Sequence, residues 1–391
     1  MSATPAPKND SRITVMYIIW SLQMGGAERV VADTALRLDR TRFRPIVACL
    51  NFKGRLAEDL EAEGIEVFAF DKKPNFDATI TFRLAKLMRD QKVDVVHPHL
   101  WTSSFWGRMA AVIARVPVIV ITEHDLDKWR SKYHLLADRI LGYFTKHWIF
   151  VSHGVQEFYC DYLKLTDDRY TVVHNGIGVE QFEQSIDAAD VKKRMGIPEG
   201  KKILGVIGRL DPRKGHCYFM EAMKSLTDKH PDVMGIIVGQ GAQMEALQAQ
   251  QKELGLEDKV KLIGYWESLA EAQAVVDVFV LPSLMEGHPL AVLEAMAASK
   301  PVVSTRVGGT HEAVAHGETG LLVEAKDVPA LEAAMTELIT DLDHAREMGR
   351  LGRAKLDREF SLQAAVNSNQ DIYLQYLDGA GKSGQLASDA S

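Results

Sequence analysis

Short, wholly apolar runs recur along the chain, separated by stretches of helical periodicity. In the first half they are residues 13–19 (ITVMYII), 46–50, 67–70, 93–96, 117–122 (PVIVIT), 148–151 and 171–173. In the second they are 203–207 (ILGVI), 234–238 (MGIIV), 260–263, 277–281, 301–304 and 320–323. Runs that do not alternate with polar residues mark strands buried on both faces, and their alternation with amphipathic helices predicts parallel sheets covered on each side. Two such series predict an α/β chain of two doubly wound, Rossmann-like domains, at 13–178 and 179–359. The joint falls near 176–200, where Asn175-Gly176 closes the first series and a polar stretch follows. A further helical pattern, 360–377, comes after the second sheet is complete. The Pro-rich, polar residues 1–12 and the Gly/Ser/Asp/Ala-rich residues 379–391 read as disordered tails.

Composition narrows the class. The chain has 391 residues, 46% hydrophobic and 25% charged, which suits a soluble protein with two cores. Three cysteines, Cys49, Cys160 and Cys217, make neither a metal spacing nor a disulfide framework, so a reducing cytoplasm is expected. No apolar run approaches the roughly 20 residues of a membrane span, and the N-terminus lacks the apolar centre of a signal peptide. The net charge of −7 is concentrated in the second half. The lack of a basic field argues against nucleic acid as the main partner.

In open α/β sheets ligands bind beyond the carboxyl ends of the strands, so chemistry is sought in the loops after the apolar runs. The richest is PSLMEGHPLAVLEAMA, Pro282 to Ala297. Pro289 suits the first helical position, which places Glu286 in the loop and Glu294 nearly two turns inside the helix. The amides of Gly287, His288 and Leu290, at the positive end of the helix dipole, make a phosphate site. Carboxylates that grip hydroxyls beside amides that grip phosphate suggest a nucleotide sugar. GRLDPRKG (Gly208 to Gly215) offers Arg209 and Lys214, a fork and a point charge suited to a diphosphate. Gly239-Gln240-Gly241 allows a close backbone approach to a nucleobase or ribose, or is simply a tight turn. Gly308 and Gly309 precede a helix and offer amides to a phosphate, or form a plain loop.

The first half is less specific. Gly25 and Gly26 follow the first run and bring the backbone close to a ligand, and Glu28 opens the next helix. His97, His99 and His124 stand at run ends, and His124 is favoured because it closely follows PVIVIT. Two D-x-D tripeptides, Asp125 to Asp127 and Asp341 to Asp343, read as chance rather than as metal ligands. Residues 128–148 carry five Lys/Arg, one Asp and five aromatics on one amphipathic segment. They are either a scaffold helix with a wet face or a basic, aromatic element that rests on an anionic membrane surface.

GGAE, EHD, HNGI, GRLDPRKG, VGQG, PSLMEGHPLAVLEAMA and VGGTHE occur in the order seen in the retaining glycosyltransferases of family 4, and the resemblance spans about residues 13–377. It implies a GT-B fold, two Rossmann-like domains facing an interdomain cleft. The first domain would take the acceptor, the second the nucleotide-sugar donor, and the last helix would return to brace the first. It implies that Arg209 and Lys214 bind the donor diphosphate, Glu294 the ribose hydroxyls, and Glu286 the transferred sugar. The residues after Glu286 (Gly287, His288, Pro289, Leu290) would touch sugar and phosphate. His124 would stand near the reacting centre, Gly25 and Gly26 would shape the acceptor side, and Asn175 of HNGI and the glycines Gly239 and Gly241 would contact substrate. His288 departs from the family, which usually has an apolar residue there. The resemblance further implies a UDP- or GDP-sugar donor and a saccharide or lipid-linked saccharide acceptor, with no metal or cofactor. The enzyme would work in the cytoplasm, at the membrane's cytoplasmic face if 128–148 touches lipid. Nucleotide-sugar 2-epimerases share the architecture, but the Glu-x7-Glu pattern argues against them. A non-catalytic sensor would have no need of Glu286 and His124.

Overall fold

The computed structural model describes residues 10–73, 77–127 and 129–379. Residues 1–9 and 380–391 of the two expected tails, and Lys128 of the basic segment, lie outside them. Every apolar run noted above is a strand: β1 (Ile13–Ile19), β2 (Phe43–Cys49), β3 (Glu66–Ala69), β4 (Val95–Pro98), β5 (Val118–Glu123), β6 (His147–Phe150) and β7 (Tyr170–Val172), then β8 (Lys202–Ile207), β9 (Val233–Val238), β10 (Val260–Gly264), β11 (Val278–Leu281), β12 (Val302–Thr305) and β13 (Gly320–Val323). They form two sheets, ordered β3-β2-β1-β4-β5-β6-β7 and β10-β9-β8-β11-β12-β13, with every pairing parallel. Both sheets are covered on both faces, which is why β1, β2, β5 and β9 are buried at every position.

The chain divides into two compact units. One holds Met1–Asn175 and Leu362–Ser391, the other Gly176–Ser361. In the first unit, one face of the sheet packs Val15, Tyr17 and Ile19 against the helix Gly26–Arg37 and the last helix, Leu362–Asp378. That last helix inserts Val366, Ile372, Tyr373 and Leu377 into this core. Polar contacts fix its position: Gln370 Oε1 accepts from the Asp39 amide at 2.8 Å, and the Tyr376 hydroxyl is bonded to His147 Nδ1 at 3.0 Å. Ahead of β1, Arg12 pairs with Asp10 at 2.8 Å and donates to the Arg40 carbonyl.

Residues 129–148 are not one amphipathic helix. The helix is confined to Lys132–Gly142, and His147 and Trp148 are in β6, with Trp148 fully buried. Periodicity missed the break because Trp148 continues the aromatic pattern although it belongs to the core. The helix in the donor motif starts at Leu290, one residue later than expected, with Pro289 as its N-cap at φ −75° and ψ 113°. Glu294 therefore lies just over one turn inside it.

Tyr373→Ala removes a fully buried aromatic of the last helix, and a loss of about 3–5 kcal/mol is expected for the first unit. Exposed Gln375→Ala should stay within about 0.5 kcal/mol. Hydrogen exchange of the β1 amides reads this directly; equal protection in both variants would show that the last helix is not part of the unit's core.

Candidate active site

In each sheet the strand order reverses once, between β1 and β4 in the first unit and between β8 and β11 in the second. The crevice beyond the carboxyl ends at such a reversal is where doubly wound sheets bind ligands. In the second unit the flanking loops are Gly208 to Gly215 and Pro282 to Pro289. Lys214 from the first loop reaches Glu286 on the second, its Nζ donating to both carboxylate oxygens at 2.7 and 3.0 Å. The two loops are also joined by the Leu284 amide, which donates to the Arg213 carbonyl at 2.7 Å. Glu286 is buried and Lys214 half-buried, so their attraction is poorly screened by water.

Sequence reasoning did not find the groups that hold Glu286. Ser283, fully buried, donates its hydroxyl to Glu286 Oε1 at 2.6 Å. Thr305, at the end of β12, donates to the Ser283 carbonyl at 2.5 Å, and Thr310 Oγ1 donates to the Thr305 carbonyl at 2.7 Å. The Gly309 amide donates to the Gly287 carbonyl at 2.7 Å. Gly308 has φ +50°, and a Cβ there would sit 1.6 Å from the Glu286 carbonyl oxygen. Only glycine lets the loop after β12 come this close. The sole sequence signal was the Gly308-Gly309 pair, which the contacts assign to loop packing.

Gly239 and Gly241 have a similar duty. A Cβ on Gly239 would lie 1.9 Å from the Gly208 carbonyl oxygen, and one on Gly241 2.4 Å from that of Leu210. The missing side chains make room for the neighbouring loop. Arg209 is exposed on its loop, His288 is buried with its ring 5.1 Å from that of Phe360, and Glu294 is half-buried on the helix that Leu290 opens.

In the first unit, His99 and His124 follow β4 and β5 directly, and their rings meet, His99 Nδ1 to His124 Nε2, at 2.7 Å. Behind them His97 is bonded through Nε2 to Thr122 Oγ1 at 2.6 Å and through Nδ1 to the Tyr373 hydroxyl at 2.5 Å. Tyr17 and Tyr373 share a hydrogen bond at 3.3 Å. Burial pushes His97 and His124 down to about 3, with a further push on His97 from His124, and places His99 well below its ordinary range. The three imidazoles are neutral at neutral pH.

The loop carrying His124 is clamped from below. Buried Glu123 pairs with Arg130 at 2.7 Å, and Arg130 also holds Asp127 at 2.7 Å and Asp138 at 3.2 Å. Asp138 in turn pairs with fully buried Arg108. Burial pushes the Glu123 carboxyl up to about 7 against the pull of Arg130. Asp341 caps the helix Leu342–Glu359 and Asp343 pairs with Arg346, so these aspartates of the D-x-D tripeptides, like Asp127, have structural partners. Gly25 precedes the helix that Gly26 opens, and a Cβ on Gly25 would meet the Glu28 carboxylate at 2.2 Å. Asn175 is buried at the end of the unit.

The sequence profile described as Glycosyl transferases group 1 matches residues 187–355, and that of Glycosyltransferase Family 4 matches 24–181. The UDP-Gal:alpha-D-GlcNAc-diphosphoundecaprenol alpha-1,3-galactosyltransferase of Escherichia coli is 30% identical over 304 residues, 75% of this chain and 78% of that one. A D-inositol 3-phosphate glycosyltransferase of Corynebacterium glutamicum is 29% identical over 347 residues, 82% of each. The solved structure of Anabaena Alr3699/HepE in complex with UDP-glucose superimposes with a TM-score of 0.83 at 23% identity, covering 93% of this chain and all of that one. The two Rossmann-like units are those of the GT-B fold. The chain belongs to the family 4 glycosyltransferases.

The neutral histidines couple stability to pH. A histidine whose folded value is depressed contributes stability above its ordinary value near 6.5, lost as pH falls below that towards about 3. Glu123, raised from 4.5 to about 7, acts in the opposite sense over part of that range, but it is one group against three. The urea midpoint should therefore drop between pH 6.5 and 4.5, and less steeply in His97→Asn. A midpoint independent of pH over that range would contradict the burial of neutral imidazoles.

Proposed function

We propose that the protein is a retaining, metal-independent glycosyltransferase that moves a sugar from a nucleoside-diphosphate sugar to a saccharide or lipid-linked saccharide. The observation that carries this is the Lys214–Glu286 pair at the strand-order reversal of the second unit, a cation and a hydroxyl-binding carboxylate where a doubly wound sheet binds its ligand. The Anabaena structure holding UDP-glucose and the diphosphoundecaprenol-dependent relative support the choice of substrates.

On this reading Arg209 and Lys214 take the donor diphosphate, Glu294 the ribose hydroxyls and Glu286 hydroxyls of the transferred sugar. The acceptor hydroxyl forms its bond to the anomeric carbon on the face from which the phosphate oxygen departs, so configuration is retained. The departing oxygen takes the acceptor proton. Negative charge grows on the diphosphate as the bond breaks, and the two cations and the amide of Leu290, at the start of its helix, are the fixed groups that stabilise it. The resemblance to family 4 is what assigns His124 to the reacting centre.

The helix Lys132–Gly142 supports contact with a lipid surface. Tyr133, Leu136 and Ile140 are exposed at helical spacing and continue into exposed Trp129, Tyr143 and Phe144. Lys132, Arg139 and Lys146 are exposed beside them. The segment's one acid, Asp138, is buried against Arg108 and Arg130, so the outer face is apolar and cationic, the complement of an anionic membrane. Among the described residues no helix is long and apolar enough to cross a membrane.

Lys214→Ala or Arg209→Ala should cut kcat about 10²–10³-fold in a transfer assay without metal, the usual cost of losing one fixed contact to developing charge. Glu294→Ala should mainly weaken nucleoside-diphosphate binding in calorimetry. Wild-type turnover in both cation variants would overturn the assignment. For the membrane contact, the triple change Tyr133→Ser, Leu136→Ser, Ile140→Ser should abolish cosedimentation with phosphatidylglycerol vesicles, and added salt should weaken it in the wild type. Undiminished binding by the triple variant would rule out this helix as the contact.

A further inference from the structure

We infer that His99 is a positioning residue that donates its Nδ1–H to His124 Nε2, locking His124 in the tautomer whose other nitrogen is an N–H donor. The functional weight of the lock rests on the reading that places His124 near the reacting centre.

The geometry allows two proton arrangements across the 2.7 Å contact. If His124 donates from Nε2, His99 must carry its own proton on Nε2. That atom is buried without a hydrogen-bond partner, so the arrangement strands a donor out of water. If His99 donates from Nδ1, its Nε2 is left as a lone pair. Buried orphan N–H groups are rarer than under-satisfied acceptors, which selects the second arrangement. His124 then accepts on Nε2 and carries its proton on Nδ1.

The rest of the neighbourhood holds His99 in this orientation. It is buried, its amide donates to the Ile18 carbonyl at 2.9 Å, and it bridges to Thr122 on the neighbouring strand. The His97 ring lies behind it at 4.4 Å, itself fixed by Thr122 and by Tyr373 of the last helix. The His124 ring meets His99 edge to edge through that contact, with centroids 5.0 Å apart and planes inclined by 30°. Leu100, the next residue, has φ +66°, a conformation that a branched, non-glycine residue keeps only when its surroundings impose it. Burial keeps all three imidazoles neutral, so a tautomer, not a charge, is what passes between them.

The chemical consequence is specific. With Nε2 engaged and Nδ1 already protonated, His124 offers a hydrogen bond to a sugar hydroxyl or phosphate oxygen and has no free lone pair with which to act as a general base. In the opposite tautomer it would be a base and a poor donor.

Long-range proton–nitrogen NMR of the ¹⁵N-histidine-labelled protein reads the tautomers directly. The expected result is a protonated Nδ1 and an accepting Nε2 on His124; a proton on His124 Nε2 overturns the proposal. Kinetics supply the second arm. His99→Asn keeps an N–H donor in place of Nδ1 and should stay within about threefold of wild-type kcat, whereas His99→Leu should lose about 10–100-fold at unchanged donor KM, the scale for losing a group that orients a functional histidine. In a His124→Ala background, His99→Leu should cost nothing further. Equal losses in the Asn and Leu variants would reduce His99 to a space-filler. The tautomer as proposed, with His124→Ala turning over like wild type, would uphold the lock and sink the placement of His124 at the reacting centre.

Discussion

Parallel pairing is the constraint from which the rest follows. Parallel strands cannot be joined by tight turns; each connection crosses back over a face of the sheet, so all carboxyl ends line one edge. In the second unit this gathers the loops after β8, β9, β11 and β12 along a single rim, and the reversal of strand order opens a gap between β8 and β11. Lys214 and Glu286 meet in that gap although 71 residues separate them in the chain. In the first unit the same constraint sets His99 after β4 beside His124 after β5.

The strands were legible because a sheet buried on both faces leaves a plain record, a run with no polar positions. All of them lie within a few residues of the apolar runs, and even the short β7 is found from 171–173. The family was legible because its motifs fall in those loops, at fixed order. The basic segment was not read correctly. Periodicity sees residue type and not burial, and Asp138 and Trp148 are inside while Tyr133 and Tyr143 are outside. Once its acid is accounted for in the Arg108–Asp138–Arg130 cluster, the segment's outer face is more cationic than its composition suggests.

The supports of the site were invisible for a different reason. Ser283, Thr305 and Thr310 are ordinary residues whose meaning lies in long-range contacts, a hydroxyl on a carboxylate and hydroxyls on carbonyls. The glycines carried a signal but an ambiguous one. Gly239, Gly241 and Gly308 look like ligand-facing positions, yet the space where their side chains would be is filled by another loop's carbonyl. Glycine reports that something comes close, and only the structure says whether it is ligand or protein. The histidines were ambiguous in the same way. One residue at a strand end reads as core, and it is the Nδ1-to-Nε2 contact that gives His99 and His124 separate duties.

The Lys214–Glu286 pair also constrains how the second unit works. A buried carboxylate without a counter-charge is costly, and removing one partner of such a pair typically destabilises by about 3–5 kcal/mol. Lysine meets that demand with a side chain that stays partly exposed. A diphosphate competing for Lys214 would bring its own negative charge beside Glu286, which is tolerable only if Glu286 gains donors at the same time. Sugar hydroxyls are such donors, and Ser283 fixes one oxygen of the carboxylate. On the proposed assignment of these two side chains, the pair would couple the two halves of a nucleotide sugar: phosphate alone would leave Glu286 short of donors, and sugar alone would leave Lys214 tied to Glu286. A ligand carrying both satisfies each group at once, which is the physical reason to expect this site to discriminate a nucleotide sugar from a bare nucleotide.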